Sequence, residues 1–273
     1  YRLTNIGIHI ANALLVGWLA SLVVSIVHPQ KEGENRYSGQ IVFLTTLIFL
    51  THPLQTQAVT YISQRFTSLA TLFYFLSIVF YLKGRLHEKV DGIRVSFFAG
   101  AFIAAVLGMC CKELVVTLPI MILFCEIFFF SSSFKFRQKN RGVWLVAFLS
   151  VMFGMSLIVP AFFSFNIKNI FFGSFPSGSH QGDLLTGGTY LLTQARVVVT
   201  LVRLFFYPVG QNLFYDFPMS RYLWDLSTIM SLIIICGLIV WAVKQRRHRK
   251  IVSFGIWWFF ISYLDNLVPR GHV

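Results

Sequence analysis

The stretch THPLQTQAVTYISQR, Thr51 to Arg65, separates two runs of almost pure hydrocarbon: IVFLTTLIFL precedes it and FTSLATLFYFLSIVFYL follows it. A bilayer core takes about 20 consecutive apolar residues per spanning helix, so both runs read as membrane helices. The polar stretch between them then lies at a membrane face. Working outward from it, apolar runs recur along the chain and give eight expected spans: Leu3–Val27, Ile41–Val59, Phe66–Leu82, Val95–Met109, Leu114–Phe130, Val143–Phe163, Leu226–Val243 and Ile251–Leu264. The expected fold is an all-α polytopic membrane protein forming a single transmembrane domain over residues 1–273.

Composition agrees. The chain is 56% hydrophobic and 12% charged, with mean hydropathy +0.70, whereas a soluble domain carries about 25% charged residues. The net charge of +13 does not point to nucleic acid, because the bases cluster in short loops between apolar runs rather than on an aromatic-interleaved surface. Cys110, Cys111, Cys125 and Cys236 show neither metal spacing nor a disulfide framework and read as packing residues. No cleavable signal peptide is visible, and a chain starting at Tyr1 is expected to have residues before it.

The loops HPQKEGENRYSG, KGRLHEKVDGIR, SSSFKFRQKNRG and KQRRHRK hold most of the Lys and Arg. With eight spans all four fall on one side, which the positive-inside rule makes the cytoplasm. Residues 52–65, 110–113, 164–225 and the C-terminus are then extracytoplasmic. TYLLTQARVVVTLVRLFFYP, Thr189 to Pro208, is long enough to span. Two arginines at mid-bilayer cost about 5–7 kcal/mol against roughly 3–6 returned by its apolar residues. Parity decides: spanning would move KQRRHRK to the other side. Residues 189–207 are therefore expected to form an amphipathic helix on the outer face, with Thr193, Arg196, Thr200 and Arg203 along one polar stripe.

Three further groups of polar residues stand out. Asn5, His9 and Asn12 fall at i, i+4 and i+7 of the first span. They serve either as hydrogen-bond glue between helices or as the wall of a polar cavity. In the opening stretch, Pro53 suits a first helical turn capped by Thr51 or His52. Gln57, Thr60, Gln64 and Thr67 then repeat along one expected helix face, ending near Arg65. Such a face either packs against polar partners or lines a ligand pocket. Lys112 and Glu113 sit at the mouth of two short spans, whereas Glu126, deeper in its span, reads as the structural partner of a nearby base. GSFPSGSHQGDLLTGG holds His180 and Asp183, and Asp216 lies in an aromatic turn after the arginine helix. Walker, GxGxxG, HExxH and GxSxG patterns are missing from the sequence, and no inverted repeat with broken helices points to a transporter.

Four stretches taken together, NIGIHIANALLV, HPLQTQAVTYISQRFTSLATLFYFLSIVFYLKGR, CKELVVTLPIMILFCE and YLLTQARVVVTLVRLFFYPVGQNLFYDFP, resemble the membrane part of bacterial tetratricopeptide membrane proteins. Those are similar to the transmembrane-and-tetratricopeptide protein O-mannosyltransferases of the GT-C superfamily. The resemblance covers about Tyr1 to Pro218. It implies a GT-C-like fold in the bacterial inner membrane, and transfer of a sugar from a polyprenyl-phosphate donor to a protein or glycan acceptor at the extracytoplasmic face. It also implies a first span and an acidic loop carrying the catalytic base before Tyr1, and helical repeats after the spans.

Under the resemblance, Arg196, Arg203 and Lys112 hold the donor phosphate. His52, Gln57, Gln64 and Arg65 bind sugar or acceptor, and Glu113 and Asp216 support the base. No cofactor is evident; some GT-C enzymes use a divalent metal, but this chain shows no cluster for one. The alternative is a non-catalytic scaffold or accessory subunit, its polar stripes serving as packing glue against other membrane subunits.

Overall fold

The computed structural model describes residues 2–27, 35–87, 89, 91–130, 154, 174–176, 184–211, 220 and 224–267. The chain divides into two compact units, Tyr1–Phe162 and Phe163–Val273.

In the first unit, α1 (Arg2–Val27), α2 (Asn35–Thr51), α4 (Arg65–Leu86) and α5 (Gly92–Cys111) run in alternating directions, with a short α3 (Thr56–Thr60) between α2 and α4. A 3-10 turn (Glu113–Thr117), α6 (Leu118–Cys125) and a π-helical turn (Glu126–Phe130) together make the last apolar helix of this unit. Helix α4 is the hub, packing on α1, α5 and α6. Ala70, Ile78, Val79 and Leu82 of α4 are buried, as are Ala101 and Ala105 of α5, Val115 of the 3-10 turn and Met121 of α6.

Small residues set how closely the helices approach. At Gly17 a Cβ would run into the Thr46 hydroxyl, which is turned back onto Val42 O at 2.8 Å. Gly17→Ala is expected to destabilise the unit by about 1–3 kcal/mol, the usual cost of overpacking. Thr46→Ala removes the clashing oxygen and should restore stability in the double variant. Equal melting temperatures for the single variant and the parent in detergent would refute this contact.

The expected span Ile41–Val59 is corrected: the helix stops at Thr51. Pro53 has no N–H to continue it and disfavours a helical residue before it. His52 is accordingly extended (φ −65°, ψ 128°) and caps the 3-10 turn Pro53–Gln55, its Nδ1 accepting from Leu54 N at 3.2 Å. A second break follows, because Tyr61 is extended and ends α3. The single polar helix face expected through Gln57, Thr60, Gln64 and Thr67 is therefore split over two helices. At the other end of α4, Asp91 caps α5 through Arg94 N at 3.0 Å and meets His87 Nε2 at 3.0 and 3.1 Å. The His87 imidazole and the Arg94 N–H hold its carboxyl below the usual carboxylate range.

The second unit contains a two-stranded antiparallel ribbon, β1 (Ser174–Pro176) with β2 (Leu184–Thr186), in the register Ser174 to Thr186. Helices α7 (Gly187–Phe206), α8 (Leu226–Gln245) and α9 (Lys250–Tyr263) follow, with a 3-10 turn at Leu264–Leu267. Helix α8 packs on both α7 and α9. Tyr190 donates to Asn266 O at 2.9 Å and Tyr263 to Gln194, tying α7 to the end of α9.

Among the described residues six helices are long and apolar enough to cross a membrane: α1, α4, α5, the Glu113–Phe130 helix, α7 and α8. Ser38–Thr51 and Lys250–Tyr263 are shorter apolar helices. The chain is thus helical and built for integral membrane residence. By length and composition α7 also qualifies as a span, although the sequence places it on the surface. The expected span Val143–Phe163 lies outside the described residues.

Candidate functional site

The alternating helices gather the start of α1, residues 51–65, the start of α4 and the end of α5 at one end of the first unit. Asn5, 1% exposed, is the centre of this end. Its Nδ2 donates to Val59 O at 3.2 Å and Tyr61 O at 3.0 Å, and its Oδ1 accepts from Arg65 Nε at 3.3 Å. One amide thereby holds the twice-broken stretch against α1. The carbonyls it reaches belong to residues next to the breaks, where backbone acceptors lack helical donors.

One turn deeper, His9 lies 3.0 Å from Leu50 O through Nε2. A carbonyl only accepts, so Nε2 carries the proton. The ring stacks on Phe49 at 5.6 Å. Asn12 donates through Nδ2 to Ser68 O at 3.0 Å, and its Oδ1 is buried without a partner. All three side chains of the stripe therefore reach backbone of neighbouring segments, the geometry of hydrogen-bond glue.

On the other flank of α4's first turn, Lys112 Nζ donates to Thr67 Oγ1 at 2.8 Å. Lys112 is extended (φ −162°) and sits between α5 and the 3-10 turn, and Glu113 beside it is half-buried. Of the remaining candidates here, His52 is a half-buried cap, Gln57 is exposed on α3, and Gln64 is half-buried before α4. Arg65 and Lys112 are thus brought to one end of the unit on neutral oxygens.

At the opposite end of α4, Glu126 is 5% exposed. Arg85 Nε meets Glu126 Oε2 at 2.8 Å, Arg85 Nη2 pairs with Oε1, and Tyr81 OH donates to Oε2 at 2.9 Å. The Arg85 guanidinium lies 4.7 Å from the Phe130 ring centroid. Glu126 is the partner of a base, as expected. The sequence reading missed Tyr81 and Arg85, together with Tyr74, 3.3 Å from Thr117 Oγ1, and Ser77, which donates to Ala101 O at 2.8 Å. Their spacing, i, i+3, i+7 and i+11 from Tyr74, was a usable signal, hidden in a run of aromatics.

In the second unit the arginine stripe of α7 divides. Arg196 Nη1 donates to Ser220 Oγ at 3.4 Å, and Ser220 N donates to Thr193 Oγ1 at 3.2 Å. Thr228 completes this buried hub, donating to Ser220 Oγ at 2.9 Å. Arg203, two turns on, is exposed. The expected uniform stripe is therefore half internal, because Ser220 and Thr228 supply it with polar partners. Asp216, His180 and Asp183 lie outside the described residues. Among the described residues, no group of three or more His, Cys, Asp or Glu is placed to hold a metal ion. Comparison of the chain with protein families, with curated proteins and with solved structures finds no match.

Proposed function

We propose that the chain is the membrane part of a GT-C-like glycosyltransferase that moves a sugar from a polyprenyl-phosphate donor to a protein or glycan acceptor. One observation carries this reading: Arg65 and Lys112 are held at one end of the first unit by the neutral oxygens of Asn5 and Thr67. A cation held by neutral oxygens keeps its charge for an anionic ligand. A donor phosphate at the membrane boundary is an anion of that kind, and stabilising it as it leaves lowers the barrier to transfer. Gln57, Gln64 and His52 are the sugar-facing groups in this reading.

The test is binding of a polyprenyl monophosphate to the purified full chain in detergent, followed by transfer from a labelled polyprenyl-phosphate sugar. Lys112→Gln and Arg65→Gln should each weaken binding about tenfold or more, since a charged hydrogen bond contributes about 1.5–3 kcal/mol. Unchanged binding and transfer in both variants would overturn the proposal.

A scaffold reading is favoured by a different observation. Asn5, His9 and Asn12 each spend a donor on a neighbouring backbone carbonyl, so this stripe is occupied by packing. Wild-type chain that binds no polyprenyl phosphate yet co-purifies with a fixed membrane partner would favour the scaffold.

A further inference from the structure

The two units treat their basic residues differently. In the first unit the bases near the end of α4 are answered internally: Lys83 lies over Trp18 at 5.1 Å, Arg85 is paired with Glu126, and Arg94 lies over Phe98 at 5.7 Å. In the turn joining α8 to α9, four of the bases have no such answer among the described residues. KQRRHRK places Lys244, Arg246, Arg247, Arg249 and Lys250 within seven residues, with His248 among them, and all six side chains are exposed. Among the described residues Lys244, Arg247, Arg249 and Lys250 have no hydrogen-bond or ion-pair partner for their side chains.

The acidic positions of this hairpin lie at its other end along the backbone. Asp225 precedes α8 and Asp265 follows α9, both at the far end of the helices. Twenty residues of α8 put them about 30 Å away. The start of α9 adds to the imbalance, with no acid in its first turn and no side-chain cap from Arg249.

The turn is also fixed in place. Ser253, fully buried, donates to Ala242 O at 2.7 Å across the hairpin. Arg249 N bonds Gln245 O at 2.8 Å. The bases are thus held at the ends of two apolar helices, one turn beyond Trp241, which is 45% exposed. Tryptophan at that position marks the level of lipid headgroups.

We propose that the α8–α9 turn is a docking surface for acidic phospholipid headgroups, its guanidinium and ammonium groups binding the lipid phosphates of the surrounding membrane. Five like charges packed this closely repel one another, and phosphates at the same height relieve that repulsion. The proposal is independent of the glycosyltransferase reading.

The experiment is titration of the full chain in neutral detergent with phosphatidylglycerol or phosphatidylcholine of matched acyl chains, read by native mass spectrometry. Phosphatidylglycerol should bind more tightly, and added salt should weaken it. Arg247→Gln with Lys250→Gln should cut its affinity roughly 25-fold, about fivefold for each near-surface charge. Arg247→Lys with Lys250→Arg, which keeps the charge and guards against a folding defect, should bind like the parent. Equal binding of the two lipids, or an unchanged affinity in the neutralised pair, would overturn the proposal. Displacement of the lipid by inorganic phosphate at an ionic strength where chloride leaves it bound would overturn it too, by showing that a soluble anion is the ligand.

Discussion

Replacing Glu126 with Leu destabilises the first unit by about 3–5 kcal/mol, and adding Arg85→Leu recovers most of that loss. The larger figure belongs to the single change because it strands a guanidinium only 14% exposed; removing both charges strands nothing. The site is well placed for so strong an effect. Glu126 is 5% exposed and accepts from Arg85 and Tyr81, while Phe130 covers the guanidinium. Tyr81→Phe removes a single donor and should cost about 1 kcal/mol. A double-mutant cycle on unfolding in mixed micelles measures the coupling. A double variant as unstable as Glu126→Leu alone would show that the pair does not act as a unit.

The second large effect is at Asn5. Asn5→Leu takes both donors from the Val59 and Tyr61 carbonyls and the acceptor from Arg65. Three bonds at about 0.6–1.7 kcal/mol each in a membrane protein give roughly 2–5 kcal/mol. Asn12→Leu, though two turns away on the same stripe, should cost about 1 kcal/mol or less. It loses one bond to Ser68 O and also removes an Oδ1 that is buried without a partner. Limited proteolysis distinguishes the two: cleavage between Thr51 and Arg65 should rise sharply with Asn5→Leu and little with Asn12→Leu. Equal protection of both variants would contradict the role given to Asn5.

Hydrophobic run length was enough to locate α1, α4, α5, α8 and α9, since a bilayer leaves a long apolar run few alternatives to a helix. The polar stretch after α2 was legible as a boundary but not in its shape. Its periodicity suggested one helix face. Pro53 and the extended Tyr61 break that face twice, and Asn5, more than fifty positions earlier, holds the pieces. Local pattern carries no record of so distant a partner. The same limit hid Ser220: nothing near Arg196 in sequence announces that a serine after α7 will take its guanidinium. Glu126 was legible because a lone acid in an apolar run must find a base. Which base it finds was decided by α4 bringing Arg85 alongside.

The bonds of α1 also have a calendar. Asn5, His9 and Asn12 find their backbone partners 41 to 56 positions further along the chain. At about 5–20 residues per second of synthesis, α1 waits roughly 2–11 s before those partners exist. During that interval its amide and imidazole groups must be met by water, lipid headgroups or insertion machinery. The helix that appears most settled in the finished bundle is therefore the one that spends its first seconds least provided for.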